Sequence, residues 1–570
     1  GAGVGITAAG GGAAQTGGSS RGSATTGRAG AAGETLFVAG IQLEPPTNYN
    51  PFGASPAWPT AAGHSQLIYE TLVRFNLLDG TLSPGLAKQL RQSDDLTIEL
   101  PLQDGTRWSD GSELTAEDVV FTFKLGERTT LSFSTIWSYV DTIEATDART
   151  VTIKLKSSPY NPGYVKNLLS STLIVPKAIW SKIPPGKITA ETNLQPIGSG
   201  PFTLDKGEQT QVNLARDDAY WGKNAFGTPA MTTINHPILN KDTQAALKLQ
   251  SGQIDASQQF IPRIWTMWED NGAPVGTWLR EKPYYLPGNL PVLIFNLSKS
   301  GLDNLKLRRA IAYGINYPDI ATTAMSDYSE PANASLIVPT GYESKFYDAD
   351  AVESEGWTYD PDQAVKILEG ELKARMGSDG IYQLPDGAKL GGWKLITPAG
   401  WTEWNTACEI VAKSAKDIGI GIRTEFPQAS TMIRSVQNGS FDICLSSYSG
   451  VSPASPWIRF RDALDDRGLA REGSRANWNY GRFENSEVPA LLDAAAAAKS
   501  DGKAKTAYAA LDKIFREDIP CIPLMYQPLE FYEFNQSNWE NFPTEANPYA
   551  PPMWQGAGVG WLFKLKRVGG

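Results

Sequence analysis

The stretch Trp393-Lys-Leu-Ile-Thr-Pro-Ala-Gly-Trp-Thr-Glu-Trp-Asn-Thr-Ala-Cys-Glu-Ile-Val-Ala-Lys-Ser-Ala-Lys-Asp-Ile-Gly-Ile-Gly-Ile-Arg-Thr-Glu-Phe426 decides the fold class. Trp393 to Thr397 is strand-like, Ala407 to Ile418 reads as a helix, Gly419 ends it, and Ile420 to Phe426 reads as another strand. Strand and helix alternating in this way predict an α/β protein.

The same alternation extends outward. Toward the C-terminus, Tyr508, Leu511, Ile514 and Phe515 mark a helix that leads into the apolar run Ile519 to Met525. Toward the N-terminus, Leu305 to Asn316 and His64 to Arg74 read as helices, and Thr35 to Ile41 as a buried strand. Thr115 caps a further helix with Asp118 three residues on. Leu96 to Leu102 and Thr150 to Lys156 are strand runs, and the pairs Asp79-Gly80, Asp104-Gly105 and Asp110-Gly111 write tight turns.

The chain has 570 residues, more than one core organises, so several domains are expected. No run approaches the ~18 uninterrupted apolar residues of a membrane helix. With 51 Lys+Arg against 61 Asp+Glu, the net charge is -10 and no basic cluster offsets it, which argues against a nucleic-acid partner. Only two histidines occur, His64 and His236, too far apart in sequence to suggest a His-rich metal site. Cys408, Cys444 and Cys521 form no C-x-x-C pair and allow at most one disulfide. The 17 Trp and 21 Tyr, beside 20% charged residues, are more aromatic surface than packing obviously needs.

Residues 1–33 are almost entirely Gly, Ala, Ser and Thr, a composition that reads as a flexible tether. Its Gly18 to Gly22 match to G-x-S-x-G has neither a strand before it nor a helix after it, so it is no nucleophile elbow. Any secretion signal or lipid-attachment cysteine is expected outside this chain.

Four runs stand out: Leu67-Ile-Tyr-Glu-Thr-Leu-Val73, Leu102-Gln-Asp-Gly-Thr-Arg-Trp-Ser-Asp-Gly111, Leu114-Thr-Ala-Glu-Asp-Val-Val-Phe-Thr-Phe123 and Ile197-Gly-Ser-Gly-Pro-Phe-Thr-Leu204. Leu249-Gln-Ser-Gly-Gln-Ile-Asp255, Phe295-Asn296, Lys306 to Ile315 and Asn438-Gly-Ser-Phe-Asp442 extend the set along the chain. Together these segments carry a resemblance to the family 5 extracellular solute-binding proteins of ABC importers. It implies a class II periplasmic-binding-protein fold of the three-domain type, in which two lobes close on a ligand through hinge crossings. On that layout, residues 34–75, 196–296 and 516–570 form one discontinuous lobe, 76–195 an inserted subdomain, and 297–515 the other lobe. Asn296 and the region near Ile519 would be the crossings. An ABC permease would be the partner of a monomeric, extracytoplasmic receptor, with no cofactor implied and membrane contact only through a lipid anchor outside the chain.

Catalytic machinery is not visible. Asp465 and Asp466, or Glu117 and Asp118, are sequence neighbours that point apart, and no phosphate-cradling loop sits between a strand and a helix. Trp108 in Trp-Ser-Asp-Gly fits a structural turn. The other tryptophans are more informative: Trp58, Trp265 and Trp268, Trp401 and Trp404, and Trp457. A Trp face covering a sugar ring buries roughly 60 Å², worth about 1–2 kcal/mol per platform. Trp401 and Trp404 are the best placed, between a strand and a helix where α/β folds meet ligands. Trp268, Trp457 and Trp58, with Asn296, Tyr448 and Asn50, complete the candidate ligand-binding set.

Peptide receptors of this family carry an acid soon after the Phe-Asp pair. Here Phe441-Asp442 is followed by Ile-Cys-Leu-Ser-Ser-Tyr-Ser-Gly-Val-Ser, without one, which argues against recognition of an α-amino group. The segment Asn541-Phe-Pro-Thr-Glu-Ala-Asn-Pro-Tyr-Ala-Pro-Pro552, with Gly-Trp-Thr-Glu-Trp-Asn, resembles the cellobiose and β-oligosaccharide receptors of the family. The expected ligand is a β-linked gluco-, xylo- or manno-oligomer. An oligopeptide receptor and a glycoside-cleaving enzyme are the alternatives.

Overall fold

Between the strands Gly391–Ile396 and Gly421–Glu425 the chain forms the helix Thr402–Asp417, and both strands lie parallel in one sheet. The helix starts earlier than its apolar spacing predicts, with Glu403 in the first turn, where a carboxylate is favourable. Trp404 therefore lies in the helix and not in a loop. Gly419, at φ +80°, ends it as expected.

The computed structural model describes residues 34–61, 66–239, 241–469 and 476–569. The expected tether 1–33 and His64 lie outside them. The chain divides into two units, one of residues up to Arg280 together with Glu530 onward, the other from Glu281 to Leu529. Both are mixed α/β.

The first unit is built on a seven-stranded sheet in the order Val275–Thr277, Glu533–Asn535, Ala256–Ser257, Thr35–Ala39, Thr233–Pro237, Gln211–Arg216 and Phe202–Gly207. Thr35–Ala39 runs parallel to both of its neighbours, and the other pairs are antiparallel. A separate four-stranded antiparallel sheet, Arg91–Asp94, Thr97–Pro101, Thr150–Leu155 and Val140–Asp147, falls within the predicted insertion. The helix Ala116–Arg128 packs on it and opens with the expected capping box, the Thr115 N–H meeting Asp118 Oδ2 at 3.0 Å. Gly80, Gly105 and Gly111 all take positive φ, as their turns require.

Gln66 to Arg74 is not a helix. It forms bends and the strand Val73–Phe75, because its backbone is engaged by other segments. The N–H groups of Gly200 and Phe202 donate to Ile68 and Leu67, and those of Leu86 and Ala87 to Thr71 and Leu72. Leu67 to Val73 is buried on every side, so it carries no periodicity to separate strand from helix. Within it, Glu70 accepts from Arg74, Ser199, Tyr220 and Trp221.

The second unit carries a five-stranded sheet in the order Gly421–Glu425, Gly391–Ile396, Ile443–Ser447, Pro291–Phe295 and Cys521–Pro523. Gly391–Ile396 is parallel to both neighbours, and Pro291–Phe295 is antiparallel to its own. The helices Leu305–Gly314 and Asp501–Asp518 belong to this unit. The units divide between Arg280 and Glu281 and between Leu529 and Glu530. Pro291–Phe295 is the inner strand between Ile443–Ser447 and Cys521–Pro523, and Asn296 and Ile519 both belong to the second unit. The three cysteines, also in this unit, are buried and free.

Candidate functional site

In the second unit the carboxyl ends of the parallel strands Gly391–Ile396 and Ile443–Ser447 share one end of the sheet, the place where open α/β sheets receive ligands. Thr397 Oγ1 donates to the Leu445 carbonyl, and Asn405 Nδ2 ties back to Pro398 at 2.9 Å, fixing the connection into the helix. Gly400, at φ +81°, makes the turn. Trp401 then caps the helix, half-buried, with its ring edge-to-face on Trp404 at 4.8 Å and 71°.

Trp404 is 2% exposed. Its indole N–H donates to Gln527 Oε1 at 3.0 Å, and Gln527 Nε2 donates to Glu403 Oε1 at 3.2 Å. Gln527 is held by backbone pairing of Gln527–Pro528 with Pro287–Asn289. The two tryptophans are thus unequal: Trp401 offers ring surface and Trp404 buttresses it.

The remaining candidates in this unit are bound up in the framework. Asn296 is 0% exposed, donates to the Gly439 and Phe441 carbonyls, and accepts from Ser298. Trp457, buried on the helix Trp457–Leu464, donates its N–H to Leu492. Tyr448 is buried, and desolvation holds its hydroxyl well above the usual phenol range. All three side chains are buried.

In the first unit, Asn50 is likewise buried, donating to Ile188 and Glu191 while accepting from the Phe52 N–H. Trp58 lies against His236, ring centroids 5.3 Å apart. His236 Nε2 accepts the N–H groups of Ile41 and Gln42, and burial pushes its pKa down to about 4, so the ring stays neutral. Trp268 is buried on the short helix Thr266–Glu269 with the Arg280 guanidinium 4.7 Å from its ring centre, and Trp265 just before it is half-buried. Burial also pushes the Glu530 carboxyl up to about 8 while the Trp554 N–H donates to it.

In the second unit a cavity of about 650 Å³ lies at the opposite end of the sheet, beyond Phe295, and another of about 570 Å³ is lined by Lys394, Ile396, Glu425, Pro427, Asn438 and Asp442. Arg308 and Arg482 on the walls of the first direct their donors to backbone carbonyls, leaving those guanidinium groups little to offer a ligand. The paired acids are also engaged: Asp465 with Arg467, Glu117 with Lys177, and Asp118 in its capping box. Among the described residues, no group of three or more His, Cys, Asp or Glu side chains is placed to hold a metal ion, and no helix is long and apolar enough to cross a membrane.

Residues 81–462 match the family model described as bacterial extracellular solute-binding proteins, family 5 (middle). The chain belongs to this family. The family 5 fold extends over nearly all of it. The periplasmic oligopeptide-binding protein of an oligopeptide ABC transporter from Thermotoga maritima superposes with a TM-score of 0.88 at 30% identity, covering 94% of this chain and 100% of that one. The same Thermotoga protein with mannohexaose bound gives a TM-score of 0.84 at 30% identity, over 95% and 100%. The oligopeptide-binding protein AppA of Bacillus subtilis is 24% identical over 77% of each chain.

As a family 5 protein, this chain is an extracytoplasmic substrate-binding component of an ABC importer with a periplasmic-binding-protein fold. Several motif residues that reveal the family are scaffold. Asp255 takes the Phe37 N–H and the Asn538 amide, and Asp442 takes the Lys394 N–H. Sequence reasoning missed Gln527 and the role of Glu403, since the contact between them spans 124 residues. Asp462, the next acid along the chain after Asp442, is buried and paired with Arg461 at 2.8 Å.

Proposed function

We propose that this family 5 receptor captures an oligosaccharide, a β-linked gluco-, xylo- or manno-oligomer, and delivers it to an ABC permease without chemical change. The observation carrying this reading is the likeness, over 95% of the chain and at 30% identity, to a protein whose structure holds mannohexaose. The half-buried Trp401 ring, buttressed by Trp404, supports it as a platform for the C–H face of a sugar.

An oligopeptide receptor is the second reading. The buried Glu403 carboxylate next to Trp404 favours it, as do the names of relatives such as the Bacillus oligopeptide-binding protein. Calorimetric titration with mannohexaose, cellohexaose and xylohexaose against tri- to pentapeptides separates the two. The best hexaose should bind at least ~100-fold more tightly than any peptide, a gap of about 2.7 kcal/mol. Micromolar peptide binding without hexaose binding would overturn the proposal. An overnight incubation should leave each hexaose intact, whereas a cleaving enzyme would shorten it.

A further inference from the structure

Methionine and cysteine are the side chains most open to two-electron oxidation, and accessibility decides which of them react. The chain carries 7 Met and 3 Cys, all of them among the described residues. Cys408, Cys444 and Cys521 are buried, and desolvation pushes all three thiols well above their usual range. Their reactive thiolate forms are thereby suppressed. Met231, Met267, Met325, Met432, Met525 and Met553 are buried as well. Met376 breaks the pattern, at 53% exposure.

The local fold explains why this side chain stays open. Met376 ends the two-residue strand Arg375–Met376, which pairs antiparallel with Tyr382–Gln383 in a hairpin separate from the five-stranded sheet. So small a hairpin has little surface to bury a side chain against. Only one end of Met376 is seated. Its methyl carbon and the ring edge of the buried Tyr382 both lie over Gly419, where a Cβ would come within 3.0 Å of the methyl and 2.6 Å of the ring. Gly419 follows the C-terminal end of the helix Thr402–Asp417, and Trp401 caps the other end. The 16 residues between them, at about 1.5 Å each, put the Met376 methyl roughly 24 Å from Trp401.

We propose that Met376 is an oxidation site, a thioether that takes up oxygen from hydroperoxides ahead of every other sulfur in the chain. Written for hydrogen peroxide, a sulfur lone pair attacks one peroxide oxygen and the O–O bond breaks. The proton on the transferred oxygen passes to the departing hydroxide, which leaves as water, and the sulfoxide remains. The sulfur gives up two electrons and the peroxide accepts them. An extracytoplasmic receptor works outside the reducing cytosol, where such oxidants persist. At Met376 the new polar oxygen enters an already solvated side chain, so the core keeps its packing. The same change at a buried methionine would disrupt it.

The test is limited exposure of the folded full chain to hydrogen peroxide, followed by intact-mass and tryptic-peptide mass spectrometry. Cleavage after Arg375 and Lys389 leaves Met376 as the one methionine of its peptide. A single addition of about 16 Da should appear first, and on that peptide. Urea-unfolded chain treated in parallel should take up oxygen at all 7 methionines without this order. Met376→Leu should abolish the first addition at the same dose and melt close to wild type, as should singly oxidised wild type. Oxygen on a buried methionine or a cysteine before Met376, or the same order of reaction in folded and unfolded chains, would overturn the proposal. A marked melting loss with oxygen on Met376 alone would overturn the statement that the core is spared.

Discussion

The indole N–H of Trp404 points at the side-chain oxygen of Gln527, 3.0 Å away and 123 positions along the chain. The same amide donates to Glu403, so both of its ends are committed and its orientation is set. Trp404 is fixed by this bond and by burial, and Trp401 is fixed against Trp404 by an edge-to-face contact. The accessible part of the Trp401 ring thus rests on hydrogen bonds made deeper in the second unit.

Trp401→Ala should weaken hexaose binding ~5–30-fold, the equivalent of about 1–2 kcal/mol, and shift apo melting by only a few degrees. Trp404→Ala should behave differently. It removes a buried ring at a cost of about 3–5 kcal/mol and should lower the apo melting temperature markedly. Calorimetric titration and scanning of both variants check this, and equal behaviour of the two would contradict the buttress arrangement.

Gln527→Leu leaves the Trp404 N–H and a Glu403 oxygen without their partner. A destabilisation of about 1–3 kcal/mol is expected, read from urea unfolding of the apo protein. Glu403→Ala combined with it should cost less than the sum of the two single changes, since both break one network.

Glu530 supplies a pH signature. Its carboxyl, pushed up to about 8 by burial, stays protonated in the fold where the unfolded chain is already ionised. The stability it contributes is complete below pH ~4.5 and falls as pH rises to about 8, by roughly 1.4 kcal/mol per pH unit for this group alone. Glu530→Gln, which retains an acceptor for the Trp554 N–H, should melt at a higher temperature than wild type at pH 8 and close to it at pH 4.5. A constant difference across that range would show that the carboxyl is ionised in the fold.

His236 has the opposite sign. Its neutral ring accepts two backbone N–H groups, and its pKa is pushed down to about 4. The stability it contributes is complete above pH ~6.5 and is lost as pH falls toward 4, because the unfolded chain takes up the proton first. An NMR titration should find the His236 imidazole still neutral at pH 5.5. Protonation near pH 6.5 would contradict the buried arrangement.

Elements with a local signal were legible in the amino-acid order alone. The Thr115 and Asp118 capping box, the Asp-Gly turns and the helix stop at Gly419 depend on contacts within a few residues, and all appear in the structure. The family was legible as well, through motif residues that bind the framework together, such as Glu70, Asp255 and Asp442. Gln66 to Arg74 was misread because uniform burial erases periodicity, and only its neighbours from Leu86 and Phe202 made it irregular and extended. Which tryptophan faces outward was also undetermined: Trp401 and Trp404 are equivalent in a linear reading, and burial and the bond to Gln527 distinguish them. The difference is physical, since capping and turn chemistry are set by neighbouring residues, whereas burial and long-range pairing exist only once distant segments share one core.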